Sequence, residues 1–419
     1  MKLIGILCII PVLCFMSCDS NPIESEQKVY TVTIGFTTSQ TGNYSLLSTR
    51  QTNGLKLWMD QVNAAGGISL NNGLTVMFES VSYDDESAQE NVEDLYIRLV
   101  TEDKVDFLFS PYSSGLTDAA ALVADQYGKL LITAGAASNA SHEHGYTSVF
   151  QTYTPASRYL TGAVDLLSHL DNMTKKIAYV FENLEYSTIV VESTRTYAED
   201  LGYETVLFEN YEVGTTDFES YINEIVASEA EIVLGGGHFQ DGSHFAQQLY
   251  EKQVEIDFFT LLVAPPDPDF TDIGDAALGV IGPSQWEPSV AFSPGSASEI
   301  GVEWFGPLGE KFVQDYKTAY EEEPSYHSMG GYAAGLILEK AILDADTTGT
   351  TAVITALDSM DILTCYGRIK FESNAEIHGL QIGHDMIYIQ WQQDDKNDLV
   401  KQVVWPLEGA TAEAIYPKP

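Results

Sequence analysis

Two adjacent serines stand where a predicted strand gives way to a predicted helix. The segment DFLFSPYSS, residues 106–114, places Ser113 and Ser114 just before an apolar helical pattern that runs from about 116 to 127. The first turn of a helix carries backbone N–H groups without intrahelical partners, and its dipole favours negative charge. Serine hydroxyls add donors, although one of the two could serve only as the helix N-cap. The pattern indicates a seat for a small carboxylate, with Ser114 as the first candidate.

Other motifs give weaker indications of chemistry. His142 and His144 flank Glu143 in SHEHGY, but the sequence positions no third metal ligand, so we favour a surface loop over a metal site. The glycine run 235–237 follows a strand without a later Gly-Lys-Ser/Thr, which argues against a phosphate loop. We expect these glycines to let the backbone approach a ligand.

Enzymatic signatures are missing from the sequence. There is no Gly-x-Ser-x-Gly elbow, and no histidine stands in a recognisable pairing with a nucleophile. The acidic cluster 84–86 is interpreted as solvated surface. We therefore expect a protein that is not an enzyme and that needs no cofactor and no metal.

The first residues predict where in the cell the protein is located. MKLIGILCIIPVLCFMSC has one early charge, an apolar stretch and a small residue before Cys18, and a polar segment follows. This arrangement resembles a bacterial lipobox, although Phe15 stands where a leucine is usual. Alternatively, Cys18 is one more apolar residue of the leader. We expect a signal peptide over 1–17 and a lipid-anchored tether over 18–28, in the periplasm or at the surface of a bacterial cell.

Composition excludes several classes of protein. The chain has 61 acidic and 20 basic residues and a net charge of -41, so nucleic acid is an improbable partner. Besides Cys18, only Cys365 would remain after removal of the leader, which excludes an internal disulfide and a cysteine-built zinc site. Cys365 is interpreted as a small packing residue rather than a reactive thiol.

Strand and helix patterns alternate along the chain. A β-branched run over 29–37, a helical pattern over 48–65 and a stop at Gly66 and Gly67 form a first unit, and the order repeats from strands to helices up to about residue 237. Late strands in RIKFES and DMIYIQWQQ form a mostly antiparallel run. This order predicts an α/β protein of two Rossmann-like lobes, each a mostly parallel sheet flanked by helices.

The ordered strings resemble one family. They are TIGFTTSQTGNY, NAAGGI, the block 106–138, GTTDF, GPSQWEP, PSYH, YAAGLILEKAI and CYGRIKF. Each is weak alone, but in this order they resemble the solute-binding proteins of ABC importers with the leucine/isoleucine/valine-binding fold, over essentially all of the chain after the leader.

The resemblance implies the type I periplasmic binding protein fold, in which a three-segment hinge joins two lobes that close on a ligand. The hinge segments should fall near Thr152, Ser284 and Cys365. The expected first lobe covers 29–152 and 285–365, and the second covers 153–284 and 366–419.

The resemblance also assigns ligand-binding roles. It places the ligand carboxylate, and part of its amine, at Ser114 and at the loop that contains Ala136 and Ser138. It places aromatic side chains against the ligand at Tyr44 and Tyr186. Further candidates are His238, aligned with a family tyrosine, and two apolar-wall residues that could equally belong to the core, Tyr112 and Trp286.

One family residue is missing. The glutamate that pairs with an amino acid's ammonium aligns near Leu262 or Val263. A buried ammonium needs a charged or strongly polar partner. Either Glu182, Glu185 or Asp241 substitutes for the glutamate, or the ligand has no free amine and is a short or aromatic carboxylate or an amide.

The sequence thus predicts an extracytoplasmic receptor of an ABC importer that binds an amino acid or a related small carboxylate or amide and delivers it to permease subunits. The alternative is a lipoprotein of the same fold that senses a ligand for a signalling partner. A hydrolase is the enzymatic rival, which hydrolytic turnover of esters, amides or peptides would reveal.

The scattered acid excess generates a prediction about salt. Self-repulsion among surface carboxylates is relieved when salt shortens the screening length. We expect the melting temperature to rise steeply with added NaCl in a thermal melt. Ordinary acidic solubility would instead give a melting temperature independent of salt.

Overall fold

The computed structural model describes residues 28–171, Met173 and residues 175–419. The predicted signal peptide and Cys18 lie outside the described residues, as does the predicted tether up to residue 27. Within the described part, no helix combines the length and the apolarity that a membrane span requires.

Strands and helices alternate over most of the described chain, as the apolar periodicities predict. The strands are β1 Lys28–Thr38, β2 Ile68–Ser69, β3 Leu74–Asp84, β4 Phe107–Phe109, β5 Leu131–Thr133, β6 Val149–Gln151, β7 Lys176–Glu182, β8 Glu204–Tyr211, β9 Ile232–Gly236, β10 Phe258–Leu261, β11 Ile281–Ser284, β12 Glu303–Trp304, β13 Asp361–Leu363, β14 Arg368–Lys370, β15 Ile387–Gln393 and β16 Leu399–Trp405.

The helices cover the faces of these strands. They are α1 Ser45–Ala64, α2 Gln89–Thr101, α3 Ser114–Gln126, α4 Ala140–Glu143, α5 Thr161–Leu170, α6 Glu185–Asp200, α7 Glu219–Ala227, α8 Phe239–Glu251, α9 Pro294–Ile300, α10 Gly309–Tyr320, α11 Tyr326–Ala345 and α12 Thr350–Asp358. Short 3-10 segments lie at Ala156–Arg158, Pro268–Ala277 and Leu407–Gly409.

The strands pair into two large sheets and one small one. The first sheet has the order β2-β3-β1-β4-β5-β6, parallel except for the short β2. The second has the order β16-β15-β11-β10-β9-β7-β8, in which β7 to β11 are parallel and β15 and β16 form an antiparallel edge. The small sheet is β12-β13-β14. The predicted two-lobed α/β architecture with mostly parallel sheets is confirmed.

The chain passes between the two large sheets three times. It leaves the first sheet after β6 and leaves the second after β11, next to Thr152 and Ser284. The third passage lies between β14 and β15, later than the predicted position near Cys365. That cysteine is buried between β13 and β14, which pair as a hairpin in the small sheet and hold it there. The residue boundaries of the lobes stay a prediction.

The local sequence explains where these elements begin and end. Val32, Ile34 and Phe36 alternate along β1 and are all buried, as expected for the inward face of a strand. The predicted left-handed stop of α1 is confirmed, because Gly66 has φ +96° and Gly67 has φ +80°.

Glycines bring α1 and α11 into close contact. A Cβ on Gly54 would lie 1.8 Å from the carbonyl oxygen of Ser328, and a Cβ on Gly331 would lie 2.0 Å from that of Gln51. A Cβ on Gly335 would lie 2.2 Å from the Trp58 ring. Two of these three neighbours are backbone, which cannot yield without moving a helix.

Gly331→Ala should therefore destabilise the fold. Forcing a methyl group into this helix contact should lower the free energy of unfolding by about 1–3 kcal/mol, measured by urea denaturation. Gly309→Ala is the matched control, since a Cβ there meets nothing nearer than 3.9 Å. Equal effects of the two substitutions would contradict the packing argument.

Candidate functional site

The predicted site residues come from the carboxyl ends of parallel strands in both large sheets. Loops after β1, β4 and β5 supply the first side of the site, and loops after β7, β9 and β10 supply the second. Ligands of open α/β sheets bind at such strand ends, where loops of neighbouring strands meet. Here the two sets of loops face each other.

Ser114 organises the first side. It is the first residue of α3, and its Oγ accepts bonds from the backbone N–H groups of Ala137 at 3.2 Å and Ser138 at 3.1 Å. Gln151 Nε2 donates to the carbonyl of Ser138 at 3.1 Å. The structure thus brings together Ser114 and the loop that includes Ala136 and Ser138. The N-cap position of α3 belongs to Ser113.

Hydrogen bonds hold Tyr44 and the loop after β1 in place. Its backbone N–H donates to Ser87 Oγ at 3.1 Å. Below it, Asp85 accepts bonds from Thr37 Oγ1 at 2.7 Å and Ser39 Oγ at 2.5 Å and is 0% exposed. The prediction that the acidic cluster is solvated surface is therefore wrong for Asp85, whose hydroxyl partners replace water.

Four aromatic candidates lie together. The ring centroids of Tyr44 and His238 are 4.8 Å apart, and those of Tyr44 and Tyr112 are 5.8 Å apart. Tyr186 approaches His238 at 6.3 Å. Burial, reinforced by the nearby charge of Glu182, raises the pKa of Tyr44 to about 12, so its hydroxyl stays protonated.

An acidic pair lies behind His238. Its Nδ1 is 2.6 Å from Glu182 Oε2, and its backbone N–H donates to Asp241 Oδ1 at 2.9 Å. Tyr211 donates its hydroxyl proton to the other oxygen of Asp241. Burial opposes a charge on His238, but Glu182 outweighs it and raises the pKa of the ring. Burial and the charge of Glu182 raise the pKa of Asp241 to about 6.

The glycine run 235–237, at the end of β9, accommodates Glu182 and the neighbouring strand. A Cβ on Gly235 would lie 2.0 Å from the Val180 carbonyl oxygen, and one on Gly237 would lie 2.4 Å from Glu182 Oε2. The run makes room for β7 and for the Glu182 carboxylate. At Gly235 and Gly237 a side chain is excluded by Val180 and Glu182. The predicted approach of the backbone to a ligand is therefore not the reason for these two glycines.

Three neighbouring cavities lie among these residues. The inner cavity, of about 20 Å³, is lined by five tyrosines and two histidines: Tyr112, Tyr153, Tyr159, Tyr186, Tyr326, His238 and His327. Its other lining residues are Ser113, Ser114, Gly135, Ala137 and Val263.

The outer cavity, of about 270 Å³, shares Ser114, Tyr186 and His238 with the inner cavity and adds Ser138 and Asp118. A third cavity of about 140 Å³ is bounded by Tyr44, Glu182 and Asp241. A larger one of about 820 Å³ lies between α8 and the C-terminal residues 417–419, away from every predicted site residue.

Four aromatic residues of the inner cavity were not predicted. Tyr153 and Tyr159 belong to the first passage between the sheets, and Tyr326 and His327 begin α11. The Tyr326 and His327 rings stack with centroids 3.9 Å apart. The available signals in the sequence were the two tyrosines that follow the predicted crossing near Thr152 and the PSYH string. Assigning these residues to the site required knowing that the first passage between the sheets runs beneath the cleft.

Two other expectations are changed by burial. Trp286 is not brought to these cavities, because its ring packs in the core against Phe312, with centroids 5.6 Å apart. His142 was expected on a surface loop, but it is 1% exposed and its Nδ1 lies 2.8 Å from the carbonyl oxygen of His378. His144 is exposed, as expected.

An ion pair links the two halves of the molecule. Arg50 of α1 contacts Asp267, which follows β10 of the second sheet, with Nη1 and Oδ2 at 2.6 Å. Its Nη2 lies 2.9 Å from Asp269 Oδ2. Arg50 is 3% exposed and Asp267 is 0% exposed, so the pair is shielded from water by both halves of the molecule.

The geometry of the site is suited to binding a small molecule. Over the described residues, no group of three or more histidine, cysteine or acidic side chains is arranged to hold a metal ion. Within the same residues, the Ser114 hydroxyl has no histidine partner, and its oxygen is occupied by two backbone N–H groups. What the site offers is hydrogen-bond donors, aromatic faces and one ion-paired imidazole.

The family model described as periplasmic binding protein matches residues 31–397 of this chain. The chain belongs to that family. The resemblance predicted from the ordered strings is thereby confirmed.

Relatives of this periplasmic binding protein support the same assignment. Leu/Ile/Val-binding protein homolog 7 of Brucella suis is 25% identical over 370 residues, which cover 84% of this chain and 86% of the relative.

Solved structures show the shared fold. The branched-chain amino acid transporter substrate binding protein LivJ of Streptococcus pneumoniae, in complex with isoleucine, has 20% identity and a TM-score of 0.73, with 90% of this chain and 100% of that chain covered. A solute binding protein of an ABC transporter from R. palustris, in complex with 4-hydroxybenzoate, has 17% identity and a TM-score of 0.74, with 93% and 98% covered.

Asp118 generates a pH prediction. It accepts a bond from the Ser141 hydroxyl, and burial raises its pKa from 3.8 to about 6. The cost of its ionised form is therefore complete above about pH 6, falls as the pH is lowered, and vanishes near pH 3, where the acid is protonated in both folded and unfolded chains. Asp118→Asn should raise the melting temperature at pH 7.5 and leave it unchanged at pH 3.

The control is Asp125→Asn, on the exposed face of the same helix. It should not reproduce this pH-dependent difference in melting temperature. A stabilisation by Asp118→Asn that is equal at both pH values would contradict the assignment.

Proposed function

We propose that this protein is the extracytoplasmic receptor of an ABC importer, which binds an amino acid or a related small carboxylate or amide between its two lobes. The observation that carries the proposal is the convergence of Ser114, the 136–138 loop, Tyr44, Tyr186 and His238 around the inner and outer cavities. These residues come from both large sheets, so a solute held among them would link the two lobes.

The structural neighbours support this range of ligands without choosing within it. One carries isoleucine and another carries 4-hydroxybenzoate. Both ligands have a carboxylate, which matches the donors at the first turn of α3 in this chain. They differ in whether a free amine accompanies it.

Delivery completes the proposal. A receptor whose lobes close on its solute lets permease subunits distinguish loaded from empty protein. Acylation of Cys18 would keep the receptor at its membrane while the polar tether leaves both lobes free to move. Mass spectrometry of the protein purified from membranes tests the anchor, because an unmodified thiol at Cys18 would exclude it.

A thermal-shift screen tests the binding function. Amino acids, short carboxylates, aromatic acids and amides are offered to the protein at high salt. A ligand that binds only the folded state at a hundred times its Kd stabilises it by about 2.7 kcal/mol, and the melting temperature rises accordingly. If no compound of these classes raises the melting temperature, the proposal is wrong.

Two variants test the site itself. Ser114→Ala removes the oxygen that orders the 136–138 loop, and Tyr186→Ala removes a ring of the wall. Each should weaken ligand binding by about tenfold or more, measured by calorimetry. Ser168→Ala is the control, since that hydroxyl bonds the Val164 carbonyl within α5 at 2.9 Å, outside the site. Unchanged affinity in both site variants would contradict the assignment.

A further inference from the structure

Of the inner and outer cavities, only the outer one has room for a small solute. The inner cavity, of about 20 Å³, has space for about one or two water molecules. The outer cavity, of about 270 Å³, is just below the usual range for ligand pockets, about 300–1,000 Å³, which suits a small metabolite. The chemistry of the solute therefore follows from the residues that line the outer cavity.

Two carboxylates from different halves of the molecule line the outer cavity. Asp118 is half-buried on α3 of the first half, and Glu185 is exposed where α6 begins in the second half. The two side chains are close enough for the charge of Glu185 to act on Asp118. No lysine or arginine is among the described residues that line this cavity. A positively charged group would thus meet two negative charges there, one on each side of the cleft.

Asp118 has no ion-pair partner within the part of the chain that the structure describes. Ser141 donates its hydroxyl proton to Oδ1, and Oδ2 accepts no hydrogen bond from the same residues. Burial, with a smaller contribution from Glu185, outweighs the Ser141 bond and the charge of His144 and raises the pKa of Asp118 to about 6. Its ionised form therefore costs stability. A cationic group bound at Oδ2 would offset that cost.

A donor for an anionic group lines the same cavity. His238 is 8% exposed, and its Nδ1 is bonded to Glu182. The nitrogen on the far side of the ring, Nε2, forms no hydrogen bond with any described residue. Glu182 favours the protonated ring, in which both nitrogens donate. Together with the Ser114 hydroxyl and the first turn of α3, Nε2 therefore offers donors to a carboxylate.

The two kinds of subsite are spaced for neighbouring groups of one molecule. Ser114 and Asp118 are four residues apart on α3, so their side chains lie on one face of the helix, with about 5–6 Å between their Cβ atoms. A carboxylate bound at Ser114 places a substituent of its adjoining carbon within reach of Asp118. This spacing favours a solute whose ammonium group is on the carbon next to its carboxylate.

Resting on the proposed function, we propose that Asp118 and Glu185 hold the ammonium group of an α-amino acid across the cleft. These two acids take the place of the glutamate that the sequence lacks near Val263. The carboxylate of the same solute binds at Ser114 and at His238 Nε2. Because the ammonium contacts an acid from each half, it also relieves the repulsion between Asp118 and Glu185 when the lobes close.

Calorimetry with matched compounds tests whether the solute needs its ammonium group. The pairs are alanine against propanoate, leucine against 4-methylpentanoate, and phenylalanine against 3-phenylpropanoate; each pair differs by the ammonium group alone. In the pair that binds most tightly, the amino acid should bind at least about tenfold more tightly than the acid. An acid that binds as tightly as its amino acid would overturn the inference and leave the receptor function standing.

Variants test which side chains bind the ammonium. Asp118→Asn should lower the ratio of the two affinities by about tenfold, and Glu185→Gln, at an exposed residue, by about threefold. Asp125→Asn on α3 and Glu192→Gln on α6 are the matched controls at exposed acids, and they should leave the ratio as it is. A purely structural role of Asp118 or Glu185 would weaken both compounds alike, so the ratio separates the two roles. Melting temperatures show which variants are folded, and Glu185→Gln decides the assignment if Asp118→Asn does not fold.

The outcomes separate the two proposals. If amino acids bind more tightly than their acids but neither Asp118→Asn nor Glu185→Gln lowers the ratio, these two side chains do not hold the ammonium and the inference is overturned. If only acids or amides without a free amine bind, the inference is overturned and the receptor function stands. If none of these compounds and none of the broader screen binds, the receptor function falls with the inference.

Discussion

The buried ion pair between Arg50 and Asp267 is the contact on which the arrangement of the cleft depends. Each partner comes from a different half of the molecule, and both are removed from water only while the halves are together. Removing one member of such a pair typically costs about 3–5 kcal/mol, because the other charge stays buried without a partner. Asp267 also starts the 3-10 segment after β10, since its side chain accepts the Asp269 N–H at 3.0 Å. The loop after β10, and with it Val263, is thereby fixed against α1.

The two halves supply different chemistry to the cleft. The first contributes backbone and hydroxyl donors at the start of α3 and in the 136–138 loop. The second contributes Tyr186 and the Glu182–His238 pair, in which the acid faces away from the inner cavity and the imidazole faces it. Under the proposed function, a solute that satisfies both sets would contact both halves, so its recognition would be coupled to closure of the lobes. Arg50 also acts on the cleft electrostatically, because its positive charge helps to lower the pKa of His327 and so to keep that ring neutral.

The sequence predicted what depends on local pattern. The alternation of strands and helices, the start of α3 beside Ser114 and the glycine stop of α1 follow from periodicity and from capping rules, which act over a few residues. Burial depends on contacts between distant segments, and there the predictions failed. Asp85 and His142 read as surface residues but are enclosed by Thr37, Ser39 and His378. Likewise, the PSYH string marked the family without showing that His327 would face the cleft, since that requires α11 to lie beneath Tyr112.

The scarcity of basic residues makes their placement informative. Arg50 and Lys401 contact buried acids, as in the contact of Lys401 with Glu287 at 2.7 Å. Few cations are thus left to offset the acidic surface, and an anionic solute approaches a protein of net charge -41 against its long-range field. At about 1 M salt that field extends only about 3 Å, whereas groups inside the closed cleft are screened much less. Under the proposed function, affinity for a small carboxylate would then depend on the local donors of α3 and on His238 more than on the net charge of the surface.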